Sequence, residues 1–423
     1  MLDIKFIREN PDLIKEAARK KHLSFDVAKL LEVDKQRLTL MTEIEQMRAK
    51  QNQVSVEITK AQDPNLRAAL IANMKQVKDT MQRRDEALTE IMKSWRELML
   101  TVPNIPDMSV PEGESDKENV ELRTWGEPKQ FTFKPMSHID LMTKNDLVDF
   151  DRGVKVAGFR GYFLKNEAAR MSMAIWQFVM DELVPKGFTP MIVPSLVRKE
   201  AFLGTGYLPQ GEEDLYKTQD GSYLSGTAEV ATMCYFMDEI LKKEELPKKM
   251  LSFNTCYRRE AGSHGKDTKG LYRVHEFNKV EQVVLCEASH ETSVKLHEEL
   301  TANAERLLQA LQLPYRVVVN CGGDLGLGQV KKYDIEVWIP SEERYGETHS
   351  SSYFHDFQTR RLNIRYRDEA DGKLRFAHSL NNTALATPRL LISIIENYQN
   401  EDGTISVPEV LKKYIGTDLI SRK

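Results

Sequence analysis

Between residues 27 and 102, mostly apolar side chains recur at alternating steps of four and three. Leu40, Ile44, Met47, Gln51, Val54, Ile58 and Ala61 form one series; Leu70, Met74, Val77, Met81, Arg84, Leu88, Ile91, Trp95 and Leu98 form a second. A period of about 3.5 residues is the seam of a coiled coil. Asp63-Pro64-Asn65 interrupts it, because the residue before a proline is pushed out of the helical region. The pattern predicts two long helices folded back on each other as an antiparallel hairpin. A limb of about 36 residues reaches about 50 Å at the helical rise.

The pattern then changes. Residues 103–130, PNIPDMSVPEGESDKENVELRTWGEPKQ, hold four prolines, many acids and few large apolar side chains, and read as a linker ending in a short extended segment. Beyond it, β-rich runs at Met191–Val193, Val280–Leu285, Tyr315–Val319, Ile335–Ile339 and Leu362–Tyr366 are interspersed with helical patterns over 165–183, 289–311 and 388–399. Several strands follow one another without a helix between them. An α+β domain with a mostly antiparallel sheet flanked by helices is therefore expected, not a doubly wound one. The chain divides into an N-terminal domain over 1–102 with its hairpin arm at 27–102, the linker 103–130, and a domain over 131–423.

Composition adds constraints. The 423 residues are 41% hydrophobic and 29% charged, as in ordinary globular proteins, and 60 basic against 64 acidic residues give a net charge of −4. That excludes a protein coated in positive charge for nucleic acid, but charge is uneven. Residues 48–84 carry Arg48, Lys50, Lys60, Arg67, Lys75, Lys78, Arg83 and Arg84 against Glu57, Asp63 and Asp79, eight minus three, or +5. A basic projecting tip suits a phosphate backbone; a dimerisation coiled coil is the alternative use of such heptads. No apolar run approaches the ~20 residues needed to span a bilayer, and the N-terminal stretch lacks a signal-peptide core. A soluble, cytoplasmic protein is expected. Cys234, Cys256, Cys286 and Cys321 contain no C-x-x-C pair, so reduced, mostly buried thiols are expected and no structural zinc. His290 and His297, seven apart, read as an amphipathic helix surface.

Among chemical motifs, no G-x-x-x-x-G-K-[ST] is present, and GGDLGLG at 322–328 lacks the G-x-G-x-x-G spacing, so it reads as a flexible turn. Ser350, Ser351 and Ser352 stand near His349, His355 and Asp356 without a G-x-S-x-G elbow, which argues against a hydrolase triad. YRREAGSHGKDTKGLYRVHEF at 257–277 is different. On an antiparallel hairpin it supplies what ATP needs. Arg258 offers a planar fork to an α-phosphate and a carboxylate, Glu260 an acceptor for the adenine amino group, and Phe277 a face for the base. Lys266 and Lys269 in the loop are candidates for nucleotide or RNA phosphates.

This segment resembles motif 2 of class II aminoacyl-tRNA synthetases, and FNTCYRREAGSHGKDTKGLYRVHEFNKVEQ resembles the seryl-tRNA synthetases in particular. LSGTAEV (224–230), KKYDIEVWIP (331–340), ETHSSSYFHDFQTRRLNIRYR (347–367) and HSLNNTALATPRLLISIIEN (378–397) are similar to that family's segments in the same order, MRAKQN (47–52) resembles its first arm helix, and VPKGFTPMIVPSLVRKEAF (184–202), with Pro194, resembles motif 1. The resemblance implies a serine–tRNA ligase that uses ATP to make seryl-adenylate and pyrophosphate, then loads tRNA(Ser) and also tRNA(Sec). It implies serine binding by Thr227, Ala228, Glu229, Glu281 and Thr383. ATP would meet Arg258, Arg259, Glu260, Arg273, Val274, Phe277, Glu347, Thr348, His349, Ser350 and Arg389, with Arg258 and Arg389 catalytic and Glu347 and Ser350 placing Mg²⁺. It further implies a homodimer, no membrane association, and tRNA contacts from Arg48, Lys60, Lys75, Lys78, Arg83 and Arg84. TALATPR departs from the glycine-rich motif 3 of class II enzymes generally, in the form seen in seryl enzymes. Ser351 and His349 stand where relatives carry cysteine and a small residue. A ligase loading a carrier protein and a non-enzymatic RNA-binding scaffold are the rivals. The first lacks a long basic arm, and the second has no use for Thr227, Glu229, Arg258, Glu281 and Arg389 together.

Overall fold

The structure is a computed structural model describing residues 1–262 and 269–422; Lys266 lies outside the described residues. Two compact units emerge, Leu2–Arg19 with Leu23–Pro103, and Asn104 onward together with Met1 and Lys20–His22.

In the first unit, α1 (Val27–Lys60) and α2 (Pro64–Leu100) pack as an antiparallel hairpin. The reversal falls where the sequence breaks. Asp63 accepts a hydrogen bond from Asn65 N at 2.9 Å and Pro64 opens the helix, satisfying and removing amides that have no intrahelical partner. Ile44, Val54 and Met74 are buried in the seam, and the other periodic positions are half-buried except Arg84. Arg84 instead pairs across the hairpin with Glu43 at 3.1 Å. Near the base, buried Asp34 accepts from Arg8 Nε (2.6 Å), Arg37 Nε (3.0 Å) and Trp95 Nε1 (3.0 Å). A buried carboxylate is tolerable only with such partners.

The second unit is built on an eight-stranded sheet of β1 (Val120–Trp125), β2 (Thr189–Ile192), β3 (Lys248–Tyr257), β4 (Glu276–Cys286), β5 (Tyr315–Val319), β6 (Lys331–Ile339), β7 (Arg344–His355) and β8 (His378–Thr387). The spatial order is β1-β5-β6-β7-β8-β4-β3-β2, antiparallel except for β2 beside β3. Its helices include α3 (Asn166–Leu183), α4 (Ala228–Met233), α5 (His290–Ala310), α6 (Phe357–Leu362) and α7 (Arg389–Asn397). Phe178 of α3, Leu300 and Leu307 of α5 and Ile394 of α7 share one core with Val284 of β4, Tyr333 of β6 and Leu380 of β8.

Three sequence expectations change. The stretch 103–130 is not a free linker: Asn104 and Val110 are buried, and residues 120–125 form the edge strand β1 beside β5. Leu362–Tyr366 is not one strand. Helix α6 ends at Asn363, which takes the left-handed conformation common at helix C-termini (φ +54°), and a short strand, Arg365–Arg367, follows in a separate sheet. His297 is not on a helix surface. Its ring stacks on Tyr333 at 4.6 Å and its Nε2 lies 3.0 Å from the Ser351 carbonyl, so α5 buries it against the sheet.

Candidate active site

Two irregularities in the sheet shape the site. The β4–β8 register slips between Val280 and Glu281, leaving Glu281 opposite Thr383. The β6–β7 register slips between Ile335 and Glu336, which leaves Thr348 as an extra residue between Glu347 and His349. A bulge re-aims side chains that strict alternation would send to opposite faces. Adjacent Glu347 and Thr348 thus both line a cavity of about 260 Å³, followed at intervals of two by Ser350 and Ser352. The same alternation turns His349 and Ser351 to the other face. His349 is buried with Nδ1 2.7 Å from Thr348 Oγ1, and Ser351 Oγ accepts from Thr301 of α5. His349 is therefore not on the cavity wall, contrary to its place in the expected ATP set.

On one side of the cavity, basic side chains gather around an aromatic one. Arg258 sits 5.3 Å over the Phe277 ring, and its Nε donates to the Gly226 carbonyl at 3.3 Å. Arg273 pairs with Glu260 at 2.7 Å, and Glu260 holds a left-handed backbone, φ +55°. Such strain in a non-glycine residue concentrates at functional sites. Arg389, at the first turn of α7, donates through Nε to the Tyr272 carbonyl (3.0 Å) and lies 3.3 Å from Glu347. Desolvation in the wall opposes ionisation of Glu347, but the charges of Arg389, Lys332 and Arg258 outweigh it and hold the carboxyl below its usual range. Among the described residues no ion pair involves Arg258, whereas Arg273, Arg389 and Lys279 each have a carboxylate partner.

The other side is carboxylate-rich and small. Glu229, on α4, accepts from Tyr207 OH at 2.9 Å and from Gln358 Nε2 at 2.7 Å, and burial raises its pKa to about 7. Thr227 caps α4 by accepting from Glu229 N at 3.2 Å. Lys279 lines the wall and pairs at 2.5 Å with Glu281.

Of the expected site residues, Glu229, Arg258, Glu260, Arg273, Val274, Phe277, Glu347, Thr348, Ser350, Thr383 and Arg389 converge on this one cavity. Thr227, Ala228 and Glu281 are buried next to wall residues, Thr227 bonded to the Glu229 amide and Glu281 paired with Lys279 and opposite Thr383, and Arg259 is exposed with its amide bonded to the Asp214 carbonyl. The arm residues Arg48, Lys60, Lys75, Lys78, Arg83 and Arg84 all lie on exposed positions of the hairpin in the other unit. Sequence reasoning missed Tyr207, Lys279, Asn381 and the segment Gly326–Gln329, all on the wall. Lys279 had a signal, since it shares a strand face with Phe277. The glycine run 322–328 was read as a mere turn, yet its end forms one wall because small residues let the backbone approach a ligand closely.

Comparison with known proteins agrees with this geometry over the whole chain. The family described as "Seryl-tRNA synthetase N-terminal domain" matches residues 1–106, and "tRNA synthetase class II core domain (G, H, P, S and T)" matches 215–398. A serine–tRNA ligase of Deinococcus radiodurans is 46% identical, covering 98% of each chain. One from Thermodesulfovibrio yellowstonii is 45% identical, covering 99% of this chain and all of its own. The crystal structure of seryl-tRNA synthetase from Pyrococcus horikoshii complexed with ATP superposes with a TM-score of 0.92 at 38% identity, both chains fully covered. A cytoplasmic serine–tRNA ligase from Naegleria fowleri in complex with AMP gives 0.87 at 32%, covering 100% and 99%. With a seryl-specific N-terminal domain and a class II core domain in one chain, and relatives 45–46% identical over nearly its whole length, this chain belongs to the seryl-tRNA synthetase family of class II aminoacyl-tRNA synthetases.

Proposed function

We propose that the cavity joins L-serine to ATP and that the seryl group then passes to tRNA(Ser). Serine's carboxylate attacks the α-phosphorus, a P–O bond forms, and pyrophosphate leaves with the electrons of the broken bond. The terminal ribose hydroxyl of the tRNA next attacks the seryl carbonyl and AMP departs. No side chain serves as a covalent nucleophile; the protein positions the reactants and stabilises charge. Arg258 meets the α-phosphate and the serine carboxylate, Phe277 stacks on adenine, Glu260 accepts from its amino group, and Arg273 and Arg389 hold the outer phosphates. The observation carrying this reading is Arg258, the wall cation that has no carboxylate partner among the described residues and lies over Phe277.

Glu229 and the Glu281–Thr383 pair serve serine's ammonium and hydroxyl groups. A pocket built to hydrogen-bond a hydroxyl rejects an analogue lacking it by about 10⁴-fold. Glu347 and Ser350 are hard oxygen donors suited to Mg²⁺ carried with ATP. Among the described residues no three His, Cys, Asp or Glu side chains are grouped to hold a metal, but a nucleotide-borne ion needs only one or two protein ligands. When bound, Mg²⁺ neutralises phosphate charge.

The hairpin arm is the tRNA contact. Lys60, Lys75, Lys78 and Arg83 have no ion pair among the described residues, while Arg48 and Arg84 face Asp85 and Glu43 across the hairpin. The four unpaired cations are thus the better phosphate contacts. Exposed Ile192, at 88%, and Leu196, at 51%, flank Pro194 and support a homodimer through this edge of the sheet. No helix among the described residues is long and apolar enough to cross a membrane, in keeping with a cytoplasmic enzyme. Loading of tRNA(Sec) by the same arm belongs to this reading. The test of the site is Arg258→Ala: serine-dependent ATP–pyrophosphate exchange should fall by about 10³-fold or more. Exchange at wild-type rate would remove Arg258 from the chemistry.

A further inference from the structure

The wall segment Gly326–Gln329 has no regular structure; only Gly326 O is met from within it, by the Gln329 amide at 3.1 Å, so its other backbone carbonyls need partners from elsewhere. They find them in two side chains distant in sequence. Lys21, only 2% exposed, donates from Nζ to the carbonyls of Gly326 (2.9 Å), Leu327 (2.9 Å) and Gln329 (2.6 Å). An ammonium group has three donors, and all are used. Asn104 completes the set: its amide donates to Leu327 O at 2.9 Å, and its Nδ2 donates to Gly328 O at 2.9 Å and to Phe354 O at 2.8 Å. Four consecutive carbonyls are thereby anchored by one buried cation and one buried amide.

The segment belongs to the Glu229 side of the cavity. A Cβ on Gly328 would meet the Phe357 ring at 2.6 Å and one on Gly206 would meet it at 3.0 Å, so a single ring backs both wall segments. The next residue, Gln358, bonds Glu229 at 2.7 Å, and Gln329 Nε2 bonds Ser352 of the wall at 2.8 Å. Arg389, Tyr272 and Phe277, the nucleotide side, touch none of these groups through any bond described above. Burying a lysine ammonium is costly, and burial pushes the Lys21 pKa well below its ordinary value. A hydrocarbon side chain would fill the space without that cost but would leave the carbonyls unpaired.

We infer that Lys21 is a positioning residue for the amino-acid half of the site: its ammonium group fixes the Gly326–Gln329 wall against which serine packs. This rests on the serine reading of the Glu229 side. Because it acts through the wall and not on the reacting atoms, its loss should change serine binding and leave the nucleotide alone.

The experiment is pyrophosphate exchange with serine and ATP varied separately, on the full chain and on Lys21→Met, Lys21→Arg and Asn104→Ala. Lys21→Met should raise KM for serine about tenfold or more while KM for ATP and kcat stay within about threefold. Lys21→Arg, which keeps charged donors, should recover most of the loss. Asn104→Ala should show the same selective rise, so the idea stands testable if Lys21→Met does not fold. Equal rises in both KM values, an unchanged KM for serine, or no recovery with arginine would overturn it. Failure of the serine reading itself would look different: the unaltered protein would then show no serine-dependent exchange.

Discussion

Gly226→Ala tests the site through a single added methyl group. A Cβ there would stand 3.0 Å from Arg258 Cγ, 3.3 Å from Arg258 Nε and 3.2 Å from the Tyr257 carbonyl. Carbon contacts are optimal at about 3.5–4.0 Å, so something must give by several tenths of an ångström. The Tyr257 carbonyl is backbone at the end of β3, where Tyr257 pairs with Glu276 of β4, whereas the Arg258 side chain is exposed and held at Gly226 by one 3.3 Å bond. The displacement therefore goes into Arg258. Overpacking of this kind typically costs about 1–3 kcal/mol of stability, but misplacing a positioning group by about 1 Å costs about 10²-fold in rate. The expected result is a melting temperature within a few degrees of wild type and serine-dependent exchange reduced about 10²-fold. Gly262→Ala, where a Cβ meets nothing within 4 Å, is the control and should match wild type. In an Arg258→Ala background Gly226→Ala should have no further effect, since the two act through one group. Exchange within about threefold of wild type, or a full additional loss in that background, would refute the reasoning.

Removing 48–84 should leave serine-dependent pyrophosphate exchange intact and abolish charging of tRNA(Ser); normal charging by the shortened chain would end the arm assignment. Stability should fall below neutral pH. Burial holds His297, His349 and His355 at about 4, below the ordinary 6.5, so the unfolded chain binds their protons first and stability is lost as pH drops from about 6.5 to 4. Each contributes on the order of 1 kcal/mol per pH unit in that window. Glu229, raised to about 7, Asp334, raised to about 6, and Glu336, also raised by burial, work in the opposite direction, but His378 is lowered too and the four histidines carry the sign. Urea titrations at pH 4.5 and 6.5 check the sign, and equal stability at both would contradict it. Glu229→Gln should raise KM for serine about 10²-fold with KM for ATP unchanged, since a buried carboxylate facing an ammonium is replaced by a neutral amide. In the unaltered protein KM for serine should fall as pH rises through about 7, and a flat profile would detach Glu229 from the substrate.

Much of this was legible in the sequence because it was periodic or clustered. The seam of the arm showed in steps of three and four, and the Asp-Pro-Asn break fixed the reversal to within a residue. Strands rich in β-branched residues, such as Tyr315–Val319, came out as expected. The convergence of Arg258, Glu260 and Phe277 on one cavity was readable because they lie in one short segment. What escaped depended on register. The family resemblance grouped His349 with Glu347 and Ser350, yet pleating turns it away, and only the bulge at Ile335/Glu336 lets neighbouring Glu347 and Thr348 both face the cavity. The Gly326–Gln329 wall escaped because it acts through backbone, with its partners Lys21 and Asn104 hundreds of residues away. Strand β1 was read only as the short extended end of a linker: Val120 and Leu122 alternate with Glu121 and Arg123, but over too few residues in a proline- and acid-rich stretch to mark a sheet strand.

The most direct measurement is amino-acid-dependent ATP–pyrophosphate exchange run in parallel with serine, threonine, alanine, glycine and cysteine. The account predicts exchange with serine and, for alanine and glycine, which lack the hydroxyl, a preference against them approaching 10⁴-fold. Exchange driven by glycine or alanine as well as by serine would contradict the pairing of Glu281 and Thr383 with the substrate hydroxyl, and no exchange with any of them would contradict the assignment of the cavity.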